Sequence, residues 1–311
     1  MTLSNSVPSR PPALGHRRGW DTLLAWYFVV IWGSGFLATK TGLQYAAPFT
    51  FLSLRFVFGL ALLVPLVLWR PPTWPARGRE LWHVIVAGLL VHALHLGGSH
   101  YAQYLGMSAG VTALILALQP VITAVIATRW LGETPARRQW LGLALGLTGV
   151  ALVVWHKIDL QELGIGPLVA VFLSLAGMTA GTLYQRHFCP TVDLHAAALI
   201  QFAVTLAVLA PLAVVVEDFV VHWAWPLFGS IAFLVIGASI LAVSALHTLM
   251  RHGEATRVTS ILYLTPILAV ALEYLMFDVA PSALTLAGIA IACVGVALTT
   301  WRSVPRVGTP D

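Results

Sequence analysis

The chain has 311 residues, of which 59% are apolar and only 9% are charged. Soluble domains carry about 25% charged residues, so this composition excludes an ordinary soluble protein and predicts an integral membrane protein. The formal net charge of +5 does not require a nucleic-acid partner, because the basic residues cluster in the segments between apolar runs.

Ten apolar segments follow one another along the chain. Each is long enough to cross about 30 Å of hydrocarbon as a helix. The predicted spans lie at about 21–40, 48–69, 81–104, 107–131, 136–156, 165–186, 194–216, 224–249, 254–277 and 281–301. The polar segments 1–19 and 303–311 are interpreted as tails outside the bilayer.

The two halves of the sequence match at a constant offset of 146 residues, which places Pro120 on Pro266 and Trp155 on Trp301. Self-similarity at a fixed offset indicates a repeated structural unit. We therefore predict one five-helix repeat at 20–156 and a second at 165–302. Because five is an odd number, the second repeat enters the membrane inverted, a design typical of alternating-access transporters. The predicted fold class is an all-α membrane protein with ten transmembrane helices in two inverted repeats.

The positions of Arg and Lys predict the orientation of the chain. If the N-terminus lies in the cytoplasm, fourteen basic residues fall inside and only Lys40 and Lys157 fall outside. Cytoplasmic loops carry the excess of basic residues in membrane proteins. Both termini are therefore expected in the cytoplasm, with the protein in the inner (plasma) membrane.

Three segments resemble the EamA-type branch of the drug/metabolite transporter superfamily. Ile31–Lys40, with the sequence IWGSGFLATK, resembles the opening helix of that family. Thr50–Leu63 resembles its second helix, which carries a single buried arginine, here Arg55. The helix pair that ends each half, with a proline and a later GVAL run, resembles its most recognisable block.

This resemblance implies ten helices around a central cavity. The cavity would be lined mainly by the third, fourth, eighth and ninth spans, with help from the first and sixth. Members of the family transport amino acids, sugars, nucleotides and drugs, and the likeness is nearest to the YddG type of aromatic amino-acid exporter. It implies a transporter rather than an enzyme.

Pro120 and Pro266 stand near the middle of the fourth and ninth spans. Proline removes a backbone donor, so a carbonyl one turn earlier is freed at mid-membrane and must find a partner. Such kinks suit either a binding site or a simple packing bend. The polar residues beside them, which we take as candidate substrate contacts, are Gln119, Tyr263 and Thr265.

The third span is unusually polar, and a polar stripe facing lipid would be costly. Its candidate substrate contacts are His92, Ser99 and Tyr101. The three- and four-residue spacing puts His92, His95, Ser99 and Gln103 on one predicted face. Ser244 and His247 stand in the corresponding part of the second half. Histidine exchanges protons near neutral pH, so proton coupling and a purely structural role both stay open.

Arg55 and Glu273 are the only charges well inside predicted spans. An intramembrane charge needs a partner, so the two could form a gate or a structural ion pair. They could also act separately, with Arg55 holding a substrate carboxylate and Glu273 an ammonium group. Trp32, inside the first span, is expected to offer a flat wall to the cavity.

The favoured function is a secondary transporter that exports small amphipathic metabolites, above all aromatic or other apolar amino acids. The chain has no GxxxxGK[ST] motif, so ATP is not expected to drive it. We expect no cofactor and no metal, a small-molecule substrate and lipid as partners, and a monomer or dimer. The alternatives are a lipid-linked or nucleotide-sugar carrier, and a membrane haem or enzyme protein that uses His92, His95 and His247.

Overall fold

The computed structural model describes residues 15–76, 78–131, 137–159, 164–242, 245 and 264–300. These residues form helices joined by short connections, in agreement with the predicted all-α class. The α-helices are α1 (Gly15–Gly42), α2 (Pro48–Trp69), α3 (Arg79–Gly88), α4 (His95–Tyr104), α5 (Ala109–Leu116), α6 (Gln119–Leu131), α7 (Arg137–Asp159), α8 (Ile165–Phe188), α9 (Leu194–Glu217), α10 (Trp225–Ala232), α11 (Thr265–Phe277) and α12 (Ala283–Thr300). Two segments are π-helical. Leu89–Leu94 joins α3 to α4, and Phe233–Ala242 continues α10.

Several helices have the length and composition that a membrane span requires. Within the described part of the chain, five such helical stretches occur, at Pro48–Trp69, Arg79–Tyr104, Ile165–Phe188, Leu194–Glu217 and Trp225–Ala242. Large apolar side chains on them point outward, as with Val215 and Ile165, which are both 81% exposed. An apolar outer surface of this kind suits contact with lipid tails and would be unfavourable in water.

Helices recur at the 146-residue offset found in the sequence. In the first half α2, α3, α6 and α7 begin at Pro48, Arg79, Gln119 and Arg137. In the second half α9, α10, α11 and α12 begin at Leu194, Trp225, Thr265 and Ala283, each 146 residues later. The matching residues therefore begin matching helices.

The helices that end the two halves, α7 and α12, form the most extensive helix pair among the described elements. Their backbones approach so closely that a methyl group on Gly149 would overlap the carbonyl oxygen of Gly288. The contact is reciprocal, because a methyl group on Gly295 would overlap the carbonyl oxygen of Gly142. Small residues permit such close approach between membrane helices.

The fourth predicted span, 107–131, is not one continuous helix. It is divided into α5, which ends at Leu116, and α6, which begins at Gln119. Pro120 then lies in the first turn of α6, where its missing N–H is not needed. Pro266 has the same position in the first turn of α11. The expected kink at Pro120 is therefore a break between two helices.

Candidate functional site: a central cavity between the two halves

A cavity of about 340 Å³ lies among helices of both halves. Its walls come from α1, α2, α4, α5, α6, α8, the second π segment and α11. Three aromatic side chains from one helix, Phe28, Trp32 and Phe36, line it because they follow one another at the four-residue spacing of a single face of α1. The rings of Phe28 and Trp32 are tilted against each other, with 5.5 Å between their centroids. Much of the cavity wall is therefore aromatic and apolar.

Helix α4 supplies a polar wall. His95, Ser99, His100 and Gln103 all line the cavity. The hydroxyl of Ser174 on α8 donates to the carbonyl oxygen of His95 at 2.7 Å, and its oxygen lies 2.8 Å from His95 Nδ1. Because that hydroxyl proton is already used, the oxygen accepts a hydrogen bond and His95 Nδ1 carries the proton.

His100 is also oriented by a serine hydroxyl. Ser99 donates its hydroxyl to the carbonyl oxygen of Leu96 at 3.1 Å, and its oxygen is 3.3 Å from His100 Nδ1. The Ser99 oxygen therefore accepts from the imidazole. His100 Nε2 lies 3.4 Å from the hydroxyl of Thr39, which ties α4 to α1. Both histidines thus hold defined orientations at the cavity wall.

Among the described residues that line the cavity, Arg55 is the one that belongs to the charged types Lys, Arg, Asp and Glu. Its Nη2 donates to the hydroxyl oxygen of Ser239 at 3.2 Å. Ser239 in turn donates to the carbonyl of Leu234, five residues earlier in the second π segment. The guanidinium therefore contacts a neutral partner and leaves its positive charge facing the cavity.

Glu273 does not pair with Arg55, one of the arrangements that the sequence left open, and its charged partner is Lys40. Glu273 Oε1 lies 2.6 Å from Lys40 Nζ. The two carboxylate oxygens also accept from the backbone N–H groups of Ala109 and Gly110, each at 3.0 Å. These N–H groups have no partner within α5 because they lie in its first turn, and the helix dipole favours a carboxylate there.

Two other predicted contacts lie away from the cavity wall. His92 packs edge-on against Phe56 and Phe202, and its Nε2 is 3.3 Å from Gln201 Oε1. It belongs to the first π segment, whose i→i+5 bonding changes the angular spacing that an α-helix would give. Tyr101 is stacked on Phe49 and is 36% exposed. It lies two positions after Ser99 in α4, which places it on the opposite side of the helix from Ser99.

The structure brings several of the site residues predicted from the sequence to the cavity wall. They are Trp32, Arg55, Ser99, Gln119, Pro120 and Thr265. Pro266 is buried beside Thr265 but is not among the lining residues. Ser244, His247 and Tyr263 lie outside the described residues.

Two buried polar atoms of the cavity wall have no hydrogen-bond partner among the residues that the structure describes. They are Gln103 Oε1 on α4 and Thr265 Oγ1 on α11. Buried polar groups are normally hydrogen-bonded, so an exception invites an explanation by function. Gln103 and Thr265 are therefore candidate polar contacts for a ligand that occupies the cavity.

Comparisons with known proteins bear on the family to which the chain belongs. The sequence matches the EamA-like transporter family twice, at 20–155 and 165–301. The uncharacterized transporter YvbV of Bacillus subtilis is 26% identical over 282 residues, covering 90% of this chain and 92% of that protein. The uncharacterized inner membrane transporter YedA of Escherichia coli K12 is 24% identical, covering 78% of each chain. A protein named probable amino-acid metabolite efflux pump, also from Escherichia coli K12, is 22% identical, covering 93% of this chain and 99% of its own length.

One solved crystal structure has the same fold, with a TM-score of 0.64 at 19% identity, covering 90% of this chain and 96% of that chain. The two family matches span most of the sequence and confirm the resemblance drawn from its motifs. The chain has apolar helices long enough to cross a membrane, and the two relatives YvbV and YedA are named as transporters. The chain therefore belongs to the EamA-like transporter family and is a multi-pass membrane transporter.

Proposed function

We propose that the protein is a secondary transporter that exports small amphipathic metabolites, with aromatic and other apolar amino acids as its substrates. The observation that carries this proposal is the cavity between the two halves, where an aromatic wall and one guanidinium group face the same space. An aromatic ring would pack against Phe28, Trp32 and Phe36. A carboxylate would accept charge-assisted hydrogen bonds from Arg55.

The size of the cavity supports a small substrate. Ligand sites typically have volumes of about 300–1,000 Å³, and this cavity, at about 340 Å³, lies at the lower end. That volume suits an amino acid better than a nucleotide sugar or a lipid-linked saccharide. The name of the efflux-pump relative from Escherichia coli also speaks for export of amino-acid metabolites.

We further propose that ten spans form two inverted repeats that exchange access to the cavity between the two sides of the membrane. The recurring helix starts and the reciprocal glycine contact of α7 with α12 support a twofold relation between the halves. An odd number of spans in each repeat would make that relation an inversion. The fourteen basic residues on one side support cytoplasmic termini in the inner membrane.

The alternative functions have less support. A nucleotide-sugar or lipid-linked carrier would need several cations for its phosphates, and Arg55 alone supplies one among the described lining residues. A haem site would need free imidazoles at matched depth, but His92 is occupied by Gln201 and two phenylalanine rings. Among the described residues, no three His, Cys, Asp or Glu side chains come together as metal ligands.

Counterflow in proteoliposomes tests the proposal. Vesicles loaded with unlabelled solute would be supplied with labelled phenylalanine, tryptophan, threonine or a sugar, with and without a pH gradient. We expect accumulation of the aromatic amino acids, and acceleration by the gradient would support proton coupling. Accumulation of the sugar alone, or of no solute by folded protein, would overturn the proposed substrate class.

A further inference from the structure

The described part of the cavity wall carries an unbalanced positive charge. Arg55 brings one positive charge to the wall, and its hydrogen-bond partner Ser239 is neutral. No carboxylate stands among the lining residues in the described ranges. A ligand that enters this part of the cavity therefore meets a net positive environment, which favours a net negative charge.

The acid that could have held an ammonium group is used elsewhere. Glu273 is only 2% exposed, and its charge is neutralised by Lys40. Its oxygens also accept from the N–H groups of Ala109 and Gly110. Recruiting Glu273 to a substrate would require breaking these bonds and leaving buried donors without partners, which is costly. The carboxylate is therefore part of the helix packing and not of the ligand site.

The other polar side chains at the described wall, among them His95, Ser99, His100, Gln103 and Thr265, do not replace that carboxylate, because none of them carries a negative charge. Gln103 Oε1 and Thr265 Oγ1 are neutral and lack partners among the described residues. A neutral acceptor can bond a hydroxyl group well, but it offsets the desolvation of an ammonium ion much less than an anion does. An amino group would thus lose hydration without gaining an anionic partner among the described residues of the wall.

Resting on the proposed function, we infer that the cavity recognises the carboxylate and the apolar body of its ligand but not an amino group. Its preferred ligands are monoanionic aromatic or apolar carboxylic acids, and the zwitterionic amino acids of the same shape are weaker ligands. Arg55 is the residue that determines this charge preference. The aromatic wall of α1 selects the body of the ligand.

Four compounds with the same phenyl body separate the charge contributions. They are 3-phenylpropionate, 3-phenyllactate, phenylalanine and phenethylamine, and their binding to the full chain in nanodiscs at pH 7.5 would be measured by calorimetry. Binding is chosen over uptake because uncharged forms of some of these compounds cross lipid unaided. We expect the two monoanions to bind more tightly than phenylalanine, and phenethylamine to bind about tenfold to a hundredfold more weakly than the monoanions.

Variants identify the residue responsible. Arg55→Gln should weaken binding of the monoanions by about tenfold to a hundredfold. Binding of phenethylamine should be unchanged or slightly tighter. Arg55→Lys, which keeps the charge, should retain part of the preference. The matched control is Arg70→Gln, which removes an arginine that stacks on Trp69 at the far end of α2.

The outcomes separate this inference from the function on which it rests. If phenylalanine binds and 3-phenylpropionate does not, the inference is overturned and the amino-acid transporter stands. Equal binding of phenethylamine and 3-phenylpropionate would also overturn it. If none of the four compounds binds to folded protein, both proposals fail. The comparison of ligands on the unmodified chain decides the matter even if Arg55→Gln does not fold.

Discussion

Lys40 and Glu273 are 233 positions apart in the sequence, yet Lys40 Nζ lies 2.6 Å from Glu273 Oε1. The pair joins α1 to α11, and the N–H groups of Ala109 and Gly110 add the start of α5 to the same carboxylate. One buried side chain thus holds three helices together. Removing it should be costly, because Lys40 and two backbone donors would lose their partner at once.

Glu273→Gln is therefore expected to reduce the free energy of unfolding by about 3 kcal/mol, the low end for a broken buried ion pair, because Lys40 is partly exposed. Thermal unfolding of the purified protein in detergent measures the effect. When Glu273→Gln is combined with Lys40→Met, the loss of unfolding free energy should be less than the sum of the losses in the two single variants. Glu273→Gln combined with Arg55→Gln should instead be additive, and strong coupling of that second pair would contradict the ion-pair assignment.

Gly149 is expected to tolerate no side chain. Gly149→Ala would place a methyl group against the backbone of α12, and the helices would have to separate. We expect a loss of about 2–3 kcal/mol in unfolding free energy, in the upper part of the usual range for overpacking, because the methyl group would meet backbone atoms. Gly229→Ala on α10 is the control, since a methyl group there meets nothing within 4 Å. Equal melting temperatures for the two variants would refute the close contact.

Gly35 lines the cavity and has room for a methyl group, which would lie 3.7 Å from the Leu234 side chain. Gly35→Ala should therefore fold normally but make the cavity smaller. We expect counterflow of tryptophan to fall by about fivefold more than counterflow of valine, since small extra volume in a tight site costs about 1 kcal/mol or more. Gly97→Ala, on α4 but outside the cavity wall, should change neither rate. A uniform loss for both substrates would speak against a size limit at Gly35.

Trp32 should contribute to affinity for aromatic ligands through its ring. Trp32→Ala is expected to weaken phenylalanine binding by about tenfold, and Trp32→Phe by less, because stacking and buried area are only partly lost. The control is Trp26→Ala on the same helix, at a side chain that is 48% exposed and not part of the cavity wall. Calorimetric titration of each variant measures the change. If Trp26→Ala weakens binding as much as Trp32→Ala, the ring of Trp32 is not a ligand contact.

The limits of some helices could be predicted closely because they have local causes. The second predicted span and α2 both cover 48–69, where Pro48 opens the helix and the apolar run ends at Trp69. The seventh predicted span differs from α9 by a single residue at its end. The π segments could not be predicted, because their unusual bonding depends on neighbouring helices rather than on a local motif.

The cavity was predictable only where a residue type is out of place in lipid. Arg55, Ser99 and Gln119 are polar residues in apolar spans, so they had to face away from the bilayer, and they line the cavity. Phe28 and Phe36 also line it, but a phenylalanine gives no such signal because it suits lipid equally well. The partner of Glu273 was missed because Lys40 stands at the end of a span, where a lysine is expected to extend to the membrane surface.

The contact between α7 and α12 also affects how the protein can be made. Gly149 leaves the ribosome 146 residues before Gly295, a delay of roughly 7 to 30 seconds at ordinary rates of synthesis. During that time the glycine surface of α7 lacks the helix that covers it in the folded chain, because α12 is still being translated. Assembly of the two halves is therefore completed only when α12 is inserted. A premature stop before α12 would leave that surface uncovered and open to membrane quality control.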